Sequence, residues 1–189
     1  WDAKAHYDGT ERVDPVIDTG TFRVCRLDQA NVIPPDQEGL LDQRLRDYTK
    51  ATGRAVIVAT VSSLDGLEDE EYAQELGEAW GIGGQTTEEG VLFLIAPAER
   101  KVRIHTARGV QDRVTDAFSG RVIREQVIPR FKANDYGGGI VAGVDQITAQ
   151  LDRSPADAKA IAEAAAAAGE PEEGDFIFAL IIVVFFLLI

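Results

Sequence analysis

The chain has 189 residues, 32 Asp and Glu against 19 Lys and Arg, and a net charge of −13. That balance excludes a nucleic-acid binder, which needs a basic face to displace counterions from phosphates. It also argues against docking of the folded part on an anionic leaflet. The only cysteine, Cys25, excludes an internal disulfide or a thiolate metal site.

Residues 1–21 show no periodicity and carry Gly, Pro, Asp and Thr, so they read as an N-terminal arm. The chain has no methionine, which predicts a processed N-terminus. Apolar and polar residues alternate from Phe22 to Leu27, which predicts a short strand containing Cys25. Pro34 and Pro35 mark a helix start, Leu41, Leu45 and Tyr48 follow at helical spacing, and Gly53 is its stop. Ala55 to Val61 is nearly all apolar and β-branched, as in a strand covered on both faces.

Asp69 to Trp80 reads as a helix with Tyr72, Ala73, Leu76, Ala79 and Trp80 on one side. Val91 to Ala96, the turn Pro97–Arg100 and Lys101 to Thr106 predict a hairpin, with His105 on its exposed face. A long helix is expected over 114–131, with Phe118, Val122 and Ile123 inward, and another from Tyr136 to Leu151. Ser154-Pro155-Ala156-Asp157 then opens an Ala-rich helix ended by Gly169. It has little apolar ridge beyond Ile161, so it reads as a stalk outside the core. Strands alternating with helices, followed by a hairpin, predict an α/β fold with a mixed β-sheet sandwiched by helices.

Residues 153–175 thus make an Ala-rich helix and an acidic linker, and 176–189 contain no polar side chain. Fourteen helical residues rise about 21 Å against a hydrocarbon core of about 30 Å, so the run predicts a truncated transmembrane helix. Phe176, Phe178, Leu180, Ile182, Phe185 and Leu188 are its expected lipid-facing anchors. The flank Glu170, Glu172, Glu173 and Asp175 lacks the basic residues usual on the cytoplasmic side. A single-pass membrane protein with its domain on the periplasmic, extracytoplasmic side is therefore expected.

Several short patterns bear on chemistry. Asp18-Thr19-Gly20 matches an aspartic-protease signature, but that reaction needs two carboxylates and one copy is present. Gly81-Ile82-Gly83-Gly84 follows a helix rather than a strand, the wrong context for a dinucleotide loop. Asp28 ends the first strand, Glu88 and Glu89 precede the second buried strand, and Asp112 and Asp116 stand at the start of the long helix. If the loops at strand ends gather in one crevice, Asp28, Glu89 and Asp116 would converge on a hard cation such as Ca2+. The competing reading makes them helix caps and solvated loop charges.

Residues 27–151 as a whole resemble a TPM domain. The stretches that carry the resemblance are Leu27-Asp28-Gln29-Ala30-Asn31-Val32-Ile33, Thr52 to Val61, Tyr72-Ala73 with Trp80-Gly81-Ile82-Gly83, and Glu89 to Ile95. Arg100-Lys101-Val102-Arg103-Ile104, Thr115-Asp116-Ala117, Ile128-Pro129-Arg130-Phe131 and Asp135-Tyr136 complete it, placing the domain at 22–152. The resemblance implies an extracytoplasmic domain with a membrane helix, and calcium binding or acid phosphatase activity in some members. It implies an accessory role toward larger membrane complexes in others, photosynthetic ones included.

This chain departs from the family where many members read G-Y-G-L-E-G. Here the stretch is Ala107-Arg108-Gly109-Val110-Gln111-Asp112, with Gln111 in place of a carboxylate and His105 in place of a nearby acid. Fewer carboxylates weaken a cation site. The resulting expectation is a non-catalytic, membrane-anchored accessory subunit that assists a larger membrane complex. The alternative is a metal-dependent acid phosphatase in which Asp28 and Asp116 hold the ion, Glu89 assists and Arg103 binds a phosphate oxygen.

Overall fold

The computed structural model describes residues 17–18, 21–22, 26–82 and 89–169. The elements are β1 (Ile17–Asp18), β2 (Thr21–Phe22), β3 (Arg26–Asp28), α1 (Pro35–Thr52), β4 (Ala55–Thr60), α2 (Asp69–Trp80), β5 (Gly90–Ala96) and β6 (Lys101–Thr106). A 3-10 turn (Arg108–Val110), α3 (Asp116–Val122), a π-helical turn (Ile123–Val127), α4 (Ile128–Lys132), α5 (Tyr136–Leu151) and α6 (Pro155–Gly169) follow.

The main sheet has the order β3-β4-β5-β6. β3, β4 and β5 are parallel, and β6 returns antiparallel to β5. This is the expected mixed sheet. Every residue of β4 and β5 is buried, which is why both strands read as continuous apolar runs. Alternate side chains serve two cores. Val56, Val58, Val91, Phe93 and Ile95 pack with Leu41 and Leu45 of α1, Phe118 of α3 and Ile140, Val144 and Ile147 of α5. Ile57, Ala59, Leu92, Leu94 and Ala96 pack with Ala73 and Leu76 of α2. Helices therefore cover both faces, the sandwich expected from the sequence.

The helix ends follow their residues. Gly53 stops α1 at φ 76°, and Gly81 stops α2 at φ 59°, the left-handed conformation that glycine adopts without a Cβ clash. Asp135 caps α5 by accepting from Gly138 N–H at 2.9 Å. Gly143 of α5 sits against Phe93, where a Cβ would come within 2.6 Å of Cε1, so α5 reaches the sheet only with glycine there.

Three details differ from the sequence reading. The first main-sheet strand is Arg26–Asp28 rather than 22–27, because Thr21–Phe22 pair instead with Ile17–Asp18. The helix expected over 114–131 starts at Asp116 and is interrupted by the π turn, where the Ile128 N–H reaches back to the Ile123 carbonyl. The wider turn precedes Pro129, which has no N–H to give, and Arg130 Nη1 donates to the Gln126 carbonyl at 2.7 Å.

The third difference is α6. Its N-terminus is capped as expected, with Asp157 N–H donating to Ser154 Oγ at 3.2 Å. It is no stalk, however. Ala158, Ala162 and Ala165 are buried, α6 packs on α3, and Gln150 Nε2 donates to the Ala158 carbonyl at 2.9 Å. Alanine needs no bulky ridge to be buried, because a small side chain lets the backbones approach closely.

Among the described residues no helix is long and apolar enough to cross a membrane. The expected anchor, with Phe176, Phe178, Leu180, Ile182, Phe185 and Leu188, lies outside the described residues, as do Cys25, Glu88 and most of the arm.

The packing of α6 is testable. Ala162→Leu should lose about 1–3 kcal/mol by overpacking, whereas Ala160→Leu, on the exposed side of the same helix, should change stability by less than about 0.5 kcal/mol. Urea unfolding of both variants measures the difference, and equal stability would restore the stalk.

Candidate functional site

The carboxylates expected to share a cation are held apart by the topology. Asp28 is the last residue of β3, in register with Thr60 at the far end of β4. Glu89 precedes β5, whose first residue pairs with Ala55 at the near end of β4. The two acids therefore stand at opposite edges of the sheet, separated by about 17 Å of strand. The expectation overlooked that an acid before a parallel strand and an acid after one face opposite edges.

Asp28 is occupied by its own loop. Oδ1 accepts from Val32 N–H at 3.1 Å and from the Thr60 hydroxyl at 2.5 Å, and Oδ2 accepts from Ile33 N–H at 3.0 Å. Thr60 Oγ1 in turn accepts from Ala30 N–H at 3.2 Å. Asp28 and fully buried Thr60 thus fasten the β3–α1 connection, which turns through Asn31 at φ 52°. Thr60 was not among the residues singled out in the sequence, since a threonine ending an apolar strand carries no local signal of this role.

Glu89 belongs to a second structural network. Its Oε2 lies 3.5 Å from Arg54 Nε. Arg54 Nη1 and Arg113 Nη1 both donate to the Leu151 carbonyl at 3.0 Å, closing the C-terminus of α5. Arg54 also lies 3.7 Å from Asp152, which accepts the Tyr48 hydroxyl at 3.0 Å. Burial and the Asp152 carboxylate push the Tyr48 phenol up to about 12.

Asp116 is a first-turn acid of α3, behind the Thr115 cap, and its side chain is 92% exposed. Arg103 on β6 lies 3.3 Å from Glu70 and 3.9 Å from Asp116. The proposed phosphate-binding arginine is therefore already between two carboxylates. Among the described residues no three His, Cys, Asp or Glu side chains are grouped as metal ligands. Asp28, Glu89 and Asp116 do not fit a shared calcium centre.

Two concave surfaces lie at opposite edges. At the C-terminal end of β5 a groove of about 400 Å³ runs between the hairpin turn and the α4–α5 corner. Its floor is Ile95, Val102, Ile128, Phe131 and Tyr136, and its rim carries Arg100, Lys101 and Lys132. The Phe131 and Tyr136 rings stack obliquely with centroids 4.8 Å apart. Lys101 Nζ donates to Asp69 at 2.9 Å and to Glu68 at 3.4 Å, and these bonds raise its pKa. Arg100 and Lys132 form no ion pair among the described residues. The parts of this groove lie in two separate stretches of the chain, 95–102 and 128–136, with nothing local to join them.

At the opposite edge a crevice of about 480 Å³ is lined by Gln74, Glu78, His105, Arg108 and Gln111 among others. It gathers the very positions where the chain departs from the resembled pattern. His105 is half-buried against α2 rather than exposed, its ring beside Gly77. Burial, and then the Arg103 charge, lower its pKa from the ordinary 6.5, against the opposing pull of Glu70, Glu78 and Asp116.

That shift sets a pH dependence. The unfolded chain binds the His105 proton more readily than the folded one, so folding stability should fall as pH drops through 6.5 toward the lower folded value. His105→Gln should flatten this part of the stability–pH curve, as read by urea unfolding in steps between neutral pH and the onset of carboxylate titration. Asp28→Ala should lose about 2–3 kcal/mol by stranding two N–H groups and a hydroxyl, and adding calcium should not change that loss.

A family model described as the TPM domain matches residues 27–150. The solution NMR structure of the N-terminal domain of a protein from P. gingivalis is similar, at TM-score 0.63 and 26% identity, covering 68% of this chain and 82% of that one. An N-terminal domain from Corynebacterium glutamicum matches at TM-score 0.54 and 18% identity, over 74% of this chain and 88% of that one. A protein from the psychrophilic bacterium Bizionia argentinensis matches at TM-score 0.55 and 20% identity, over 63% and 81%. No curated protein matches. With the family match covering more than half of its length, on the fold and register described above, the chain belongs to the TPM domain family.

Proposed function

We propose that the chain is a non-catalytic accessory subunit that docks on a larger membrane complex. In this reading residues 176–189 anchor it in the bilayer as a single-pass protein, and the TPM domain stands on the extracytoplasmic side. The observation that supports it is how the polar side chains are used. Asp28, Glu89 and Arg103 are each tied to a neighbouring element of the frame, while an apolar groove with exposed cations lies open at the strand ends. That is the composition of a recognition surface. A metal-dependent phosphatase would need Asp28, Glu89 and Asp116 around one ion and Arg103 free for a phosphate oxygen, and the geometry supports neither.

The test is isolation of the full chain from native membranes in mild detergent, with an assay of phosphate release in calcium. The expected result is stoichiometric co-migration with one large complex, and no phosphate release that Asp116→Ala abolishes. A chain that migrates alone, or an activity lost in Asp116→Ala, overturns the accessory reading.

A further inference from the structure

Resting on that accessory reading, we infer that the groove at the C-terminal end of β5 receives an acidic segment of a partner protein, with an apolar side chain inserted between the hairpin turn and α4. Three features of the groove lead there. Its floor is aliphatic and aromatic, with Ile95, Ile128, Phe131 and Tyr136, and its volume of about 400 Å³ lies toward the lower end for binding pockets. One or two large side chains fill it.

The rim is the second feature. In a chain of net charge −13, three cations, Arg100, Lys101 and Lys132, border this one groove. The Lys101 charge is shared with Glu68 and Asp69, which leaves Arg100 and Lys132 to meet an incoming anion. Charge complementarity therefore selects carboxylates flanking the inserted side chain. The backbone that carries these cations is fixed on both sides. Arg100 sits at φ 57° in a turn whose N–H donates to the Pro97 carbonyl at 3.2 Å, and Lys132 ends α4 just before the turn at Asn134.

The third feature is shape. The site is a groove that opens to solvent on one side. Its opening lets a side chain presented by a larger body enter while the rest of that body stays outside.

The experiment uses the full chain and a fluorescein-labelled peptide, acetyl-Glu-Glu-Phe-Leu-Glu-amide, followed by anisotropy. Comparator peptides replace the three Glu with Gln, or Phe-Leu with Gly-Gly, and phenylacetate serves as a small organic anion competitor. Arg100→Glu with Lys132→Glu should weaken binding about tenfold or more, and Lys50→Glu, an exposed cation elsewhere on α1, by less than about twofold. Both comparator peptides should bind worse than the parent, and the thermal midpoint of the double variant should match the wild type because both residues are exposed.

Equal loss with Lys50→Glu would reduce the effect to diffuse charge and overturn the inference. Phenylacetate competing as tightly as the parent peptide would make this a small-anion site and overturn it too. Binding seen only when Glu170, Glu172, Glu173 and Asp175 are changed to their amides would name the chain's own acidic segment as the occupant, against a partner. Repeating the native-membrane isolation with the double variant separates the two readings. A complex that still co-migrates leaves the accessory role standing and removes the groove from it, whereas a wild-type chain that migrates alone removes the accessory role itself.

Discussion

The burial of β4 and β5 on both faces is the constraint on which the rest of the structure depends. Two adjacent parallel strands with no exposed residue cannot exist without a helical layer above and another below. The chain meets this asymmetrically. On one face α2 is the covering helix, through Ala73, Leu76, Tyr72 and Trp80 and with Val61 and Leu64 beside it, while α1, α3 and α5 share the other around Phe93. A parallel pair also forces a crossover between its strands, and that crossover places α2 beside β6 and makes the His105 crevice. The order of elements along the chain follows from the need to hide these two strands.

The charged residues then divide by edge. At the N-terminal edge of the parallel strands, Arg54 and Arg113 converge on the last carbonyl of α5, and Glu89, Asp152 and Tyr48 gather around them. These groups neutralise one another and satisfy a helix end. At the C-terminal edge, Asp28 and Thr60 fix a loop, and the cations of the hairpin turn and of α4 remain at the surface. One edge is thus a polar joint and the other carries an open groove with unpaired cations among the described residues, although both hold similar residue types.

What the sequence made legible was whatever its local pattern determines. The run Ala55–Val61, the glycine after α1, the hairpin turn at Pro97 and the caps Asp135 and Ser154 each state their structure within a few residues, and the structure has them. The role of Asp28 was not legible as such. A carboxylate ending a strand looks the same whether it binds a cation or its own loop, and only the fold of residues 29–33 decides. The alanine helix has no bulky hydrophobic ridge, yet Ala158, Ala162 and Ala165 follow the i, i+4, i+7 spacing of a buried stripe, a pattern that alanine-rich exposed helices share. The groove was beyond reach for a different reason. Its two halves lie about thirty residues apart in the chain and meet only through tertiary packing, whose closure no local pattern encodes.

The π turn at Ile123–Val127 loosens the dependence of the groove on chain length. A residue more or less in a regular helix rotates everything beyond it by about 100°. The wide turn takes up that rotation by holding one residue more than an α turn does. Phe131, beyond it, therefore still stacks on Tyr136 and lies against Gly139, and Ile128 still lines the groove. The exposed residues Arg124 and Glu125 sit on the outside of this turn, whereas Val127 belongs to the core. A one-codon change on the outer side of this helix can therefore be absorbed where it occurs, so chains of unequal length can present the same concave face.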